Sequence, residues 1–71
     1  MLQFERISNT TWKVTDNIVD FGNLNKYIFP IVEGHPWVFE PALTSLTWIE
    51  LVSIAEKLEE LNAAEEGNND L

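Results

Sequence analysis

The sequence predicts an α+β domain: a three- to four-stranded antiparallel meander with one C-terminal amphipathic helix packed on one face. Three observations predict it. Short runs of alternating apolar and polar residues, separated by turn residues, fill the first 41 positions. A capping box then opens a leucine-rich stripe at helical spacing. The 71 residues suffice for one domain and show no internal repeat.

The first run, Leu2-Gln3-Phe4-Glu5-Arg6, alternates as a half-buried strand does, and Ser8-Asn9-Thr10 is a turn signal. Thr11 to Thr15 follows with Trp12 and Val14 on one face, so the two runs read as a hairpin. Asp16-Asn17 marks a second turn. Ile18-Val19-Asp20-Phe21 is a third strand, expected to stop at Gly22-Asn23. Leu24 to Val32 is apolar but contains Pro30, which cannot donate to a ladder; it reads as an edge strand, an interrupted strand or partly loop. Gly34-His35-Pro36 is a turn. Trp37 to Glu40 is a short strand ended by Pro41, with Trp37 and Phe39 pointing one way and Val38 the other.

The helix is expected over residues 48 to about 62. Thr47 is its N-cap and Glu50, three residues on, completes the capping box; Leu46 and Leu51 form the hydrophobic-staple pair. Leu51, Ile54, Ala55, Leu58 and Leu61 recur at helical spacing, with Trp48 one turn earlier on the same stripe. Leu51, Ile54, Leu58 and Leu61 are expected to be buried against the sheet's aromatics. Asn62 starts the exit and Gly67 is a late breaker. Residues 1–64 are therefore read as one small domain and residues 65–71 as a disordered acidic tail, too polar to dock.

A chain this short buries about 60% of its unfolded surface. Small domains usually add a disulfide, a metal or a partner subunit. Cysteine is absent, so disulfides and thiolate metal sites are excluded. Three Trp, four Phe and one Tyr supply a compact core instead. No apolar stretch reaches the roughly 20 residues that span a bilayer, and Met1 to Arg6 has neither the basic nor the apolar region of a signal peptide. A cytoplasmic location is expected.

Little chemistry is available. Ser8, Ser45 and Ser53 lie in no nucleophile-elbow sequence, and Gly22, Gly34 and Gly67 are isolated rather than forming a phosphate loop. His35 reads as an exposed turn histidine. Asp16, Asp20 and Glu33 lack the spacing of a calcium loop. The expectation is no enzyme, no cofactor and no metal site.

Twelve acids against four bases disfavour direct binding to nucleic acid or to anionic membranes and favour solubility or a basic partner surface. Residues 50 to 71 hold seven of the acids against Lys57 alone, a net charge of −6. Glu59, Glu60, Glu65 and Glu66 crowd a helix C-terminus, where the macrodipole favours cations. Glu56 and Glu60 are a like-charge pair one turn apart. These charges do not help the helix, and a local rule broken this way marks either a solvated face or a binding surface. Ile49 and Val52 lie off the core stripe, either widening it or forming a contact patch. Ile49, Val52, Glu56, Glu59 and Glu60 are the candidate partner-binding residues.

The segments Phe4-Glu5-Arg6-Ile7-Ser8, Trp12-Lys13-Val14 and Trp37-Val38-Phe39-Glu40-Pro41, with the helix from Glu50-Leu51 through Leu61-Asn62, together resemble small uncharacterised accessory proteins of tailed bacteriophages. The resemblance spans most of the chain, although the stretch Asn23 to Pro30 departs from it by its length. It implies an accessory protein that binds a phage or host protein, and it implies no catalytic residues.

The expected function is thus a protein–protein interaction module, of phage accessory or inhibitor type, with a homodimer as one expected assembly. An acidic nucleic-acid mimic seated in a DNA-binding cleft and a small structural or assembly subunit are the alternatives.

Overall fold

A computed structural model describes residues 1–43 and 45–69, the side chains of residues 66–69 excepted. Four strands, β1 (Gln3–Ser8), β2 (Thr11–Asp16), β3 (Val19–Lys26) and β4 (Trp37–Pro41), precede one helix, α1 (Trp48–Asn69). The strands form one antiparallel sheet in the order β1-β2-β3-β4, a four-stranded meander.

Alternation sets the two faces. Phe4, Val14, Trp12, Leu24 and Phe39 fall on paired positions of the inner face, while Glu5, Lys13, Asn23 and Glu40 pair across the outer one. Val14, Phe21, Leu24, Trp37 and Ile54 are the buried core, with Phe4, Trp12, Phe39, Leu58 and Leu61 packed around them. The β2–β3 turn depends on Asn17, which takes φ 57, a conformation asparagine tolerates better than most residues.

Gly22 does not stop β3 but lies within it. The register slips between Val14 opposite Gly22 and Thr15 opposite Asp20, so Phe21 is an extra, bulged residue. Leu24 and Phe21 are three apart and would otherwise face opposite sides; the bulge lets both enter the core. The Asp20 carboxylate holds it by accepting the Gly22 N–H at 2.9 Å. Gly22 has φ +127, and a Cβ there would lie 2.3 Å from the Glu40 carbonyl oxygen. Glycine is required twice over, by conformation and by the close approach of β4. Of the stretch from Leu24 to Val32, only Leu24 to Lys26 is strand; residues 27–36 connect β3 to β4 as a loop.

The helix crosses the inner face. The Lys57 ammonium sits 4.2 Å from the Trp12 ring centroid and 5.9 Å from that of Phe4, its stem covering apolar surface. Further along, the Asn62 side-chain oxygen accepts the Trp37 backbone N–H at 3.0 Å, and Lys26 pairs with Glu65 at 2.9 Å.

Four features of α1 differ from expectation. It continues to Asn69, past Asn62 and Gly67 and into the segment expected to be disordered; residues 70 and 71 lie outside the described residues. Asn62 does not begin an exit but is buried as a hydrogen-bonding partner of the sheet. Leu51 is half exposed rather than buried, and Trp48 is 73% exposed, because the core line runs through Ile54, Leu58 and Leu61 and leaves the first turn off the sheet. Finally, the Glu50 carboxylate accepts the Thr47 N–H at 3.1 Å, as a capping box requires, but the Thr47 hydroxyl donates to the same carboxylate. Those two donors hold the Glu50 carboxyl below its usual range.

Candidate functional site

Ile49, Val52, Glu56, Glu59 and Glu60 are all exposed and share the outer face of α1. The helix divides them by chemistry. Ile49 and Val52 belong to an apolar first half with Trp48 and Leu51. Glu56, Glu59 and Glu60 line one shallow depression with Ala63 in the second half. Glu60 also meets Lys57 at 3.4 Å. Ile49 reaches the start of the chain, sharing a depression with Met1, Leu2 and Asp16.

The larger apolar surface was not among the sequence candidates. After Lys26 the chain leaves the sheet and presents Ile28, Phe29 and Ile31 to solvent, at 89%, 91% and 97% exposure. The signal was present in the sequence as the run Tyr27 to Val32 interrupted by Pro30. Proline ends the ladder, and a loop that leaves the sheet has no layer to cover it. Backbone bonds fasten the loop at two places: Tyr27 N–H donates to the Pro36 carbonyl, and His35 N–H to the Val32 carbonyl, both at 3.0 Å. An apolar groove runs between it and the sheet, lined by Tyr27, Phe29, Ile31, Val38, Phe39 and Glu40.

One carboxylate stands in that groove, and it is organised. The Tyr27 hydroxyl donates to Glu40 Oε1 at 2.6 Å and Asn25 Nδ2 donates to the same oxygen at 2.5 Å, while Thr11 Oγ1 donates to Asn25 Oδ1 at 2.9 Å. The bonds from Tyr27 and then Asn25 hold the Glu40 carboxyl below its usual range, and the bond to Glu40 raises the Tyr27 hydroxyl above its own. Glu40 therefore carries its charge at neutral pH in a fixed orientation, and Oε2 accepts no hydrogen bond among the described residues.

His35 is exposed in the loop, and no carboxylate among the described residues bonds to it. Asp16 meets the N-terminal ammonium and Asp20 meets Lys13, at 3.4 and 3.6 Å. Among the described residues, no group of three or more His, Cys, Asp or Glu is placed to hold a metal ion. No helix among them is long and apolar enough to cross a membrane. No family model, no curated protein and no solved structure matches the chain.

Proposed function

We propose that this chain is a protein–protein interaction module, an accessory or inhibitor protein of the kind tailed bacteriophages encode, which docks on a partner through the loop from Tyr27 to Val32. One observation carries the reading. Among the described residues, thirteen large apolar side chains are exposed and only five are buried. Scattered exposed apolar residues are ordinary on a soluble protein. Here several are consecutive in one projecting loop beside an apolar groove, and that arrangement supports a contact surface. The fitting partner offers an apolar recess for Phe29 and Ile31 and a basic group opposite Glu40. A net charge of −8 favours encounter with such a basic surface.

The test is capture by the tagged protein from the source cell or its host, repeated with Phe29→Asp/Ile31→Asp. Both side chains are exposed, so the variant should keep its circular dichroism and lose the captured protein. Capture undiminished by the double substitution contradicts docking through the loop. The acidic-mimic reading has its own support in Glu56, Glu59 and Glu60, which share one surface. It calls for binding that collapses steeply between low and physiological salt and survives the loop substitutions.

A further inference from the structure

We propose that the free edge of β1 is completed by β1 of a second copy of this chain, the two strands running antiparallel about a twofold axis at Phe4. The inference goes beyond the partner-binding reading, since it uses the opposite edge of the sheet from the loop.

The backbone ladder fixes which groups are free. Lys26 N–H bonds to the Thr10 carbonyl, which sets the phase of the β2–β3 ladder and turns the Lys13 backbone groups toward β1. Lys13 stands opposite Glu5, so Glu5 is bonded inward, and its neighbours Phe4 and Arg6 direct their N–H and C=O outward. Among the described residues, no hydrogen bond meets those four groups. An edge of this kind is a template for another strand.

The side chains select the occupant and its register. Outward groups must meet outward groups, and a twofold pairing that engages both Phe4 and Arg6 centres on Phe4, Glu5 or Arg6. Centring on Glu5 sets two carboxylates face to face. Centring on Arg6 sets two guanidinium groups face to face and runs into the irregularity between Arg6 and Ser8. Centring on Phe4 opposes the two phenyl rings, places Arg6 across from Leu2 and Glu5 across from Gln3, and brings no like charges directly together. The strand itself is neutral, with one acid and one base, although the chain is strongly acidic.

The chain has surface to spare for a second copy: it exposes 5356 Å², against about 4500 Å² for a compact monomer of this mass. Met1 and Leu2, at the start of this strand, share one depression with Ile49 of the helix.

The test uses the protein's lack of cysteine. In the Phe4-centred register, residues 3 and 5 of different copies form a non-hydrogen-bonded pair, whose Cα spacing of about 4.5 Å suits a disulfide. Gln3→Cys and Glu5→Cys proteins, mixed and mildly oxidised, should cross-link at least about tenfold more than either alone. Both side chains are exposed, so neither substitution touches the core. Arg6→Pro removes one outward N–H per copy without breaking the β1–β2 ladder. It should lower the association constant in sedimentation equilibrium about tenfold or more. Cross-linking of Glu5→Cys alone as strongly as the mixture would overturn the register. A monomer at every concentration, or cross-linking unaffected by a folded Arg6→Pro, would overturn the pairing itself. The cross-linking pattern decides even if Arg6→Pro does not fold. Loop-mediated capture by Phe29 and Ile31 is measured separately, so either idea can fail alone.

Discussion

The two edges of the sheet are built differently. At β4 the backbone groups of Trp37, Phe39 and Pro41 point away from β3, because the bonds from Tyr27 to Pro36 and from Ala42 to Phe21 fix the ladder's phase. The Trp37 N–H is taken by Asn62, and Pro41 has no N–H to give. The helix and one proline thus leave Phe39 as the one of these three residues with an outward N–H still free among the described residues. At β1 the outward groups of Phe4 and Arg6 meet no hydrogen bond among the described residues, and the strand, with one acid and one base, is irregular at its end. One edge is closed in part from within the chain; the other is left to solvent or to another strand. The helix reaches β4 with its buried Asn62, whereas at β1 its Lys57 lies over the Phe4 ring and meets no backbone group.

Substitutions that loosen the partly closed edge should make the two alike. Ile54→Ala should have the largest effect, about 2–5 kcal/mol in urea unfolding, because Ile54 is the helix's buried anchor in the core. A stability within 0.5 kcal/mol of wild type, a difference of about the size surface changes produce, would mean that α1 is not held by this contact. Gly22→Ala comes next, at about 1–3 kcal/mol for the conformation alone, with the Glu40 carbonyl clash prying β4 from β3 in addition. If it unfolds like wild type, the close approach of the two strands is wrong. Asn62→Ala should cost about 1–2 kcal/mol by leaving the Trp37 N–H without its partner. It should also speed exchange of that one amide, and unchanged exchange at Trp37 would remove Asn62 from the account.

The smallest effect is electrostatic and sits at the start of the helix. Glu50 has a lowered folded pKa, so its contribution is complete above the ordinary carboxylate range and is lost as pH falls through the folded value. Helical circular dichroism and melting temperature should therefore decline between about pH 5 and pH 3. Glu50→Gln should flatten that decline. Glu40, lowered by Tyr27 and Asn25, works in the same direction, and a double Gln variant with an unaltered slope would deny both.

Much of this fold is legible in the residues. Alternation gives the first hairpin and its faces, Asp16-Asn17 gives the β2–β3 turn, and Thr47 with Glu50 gives the helix start. What escapes is whatever depends on distant partners. Gly22 reads as a stop until β4 is known to lie against it. Asn62 reads as an exit because its partner, Trp37, is 25 residues away. Helical spacing ranks Trp48 and Leu51 with Ile54, yet the sheet is too narrow to reach the first turn. For the candidate site, the sequence separates Ile49 and Val52, off the core stripe, from Glu56, Glu59 and Glu60 toward the helix end, and the structure puts all five on one outer face. The loop from Tyr27 to Val32 was readable only as an apolar stretch with a proline, since exposure is a property of the neighbours it lacks.

The contrast between the edges is tested most directly by amide exchange read residue by residue at low and high protein concentration. Trp37, sealed by Asn62, should be protected equally at both. Phe4 and Arg6 should exchange freely in dilute solution and become protected as concentration rises and β1 finds its second copy. Protection of Phe4 and Arg6 that is already present in dilute monomer, or that never appears at any concentration, would contradict the account.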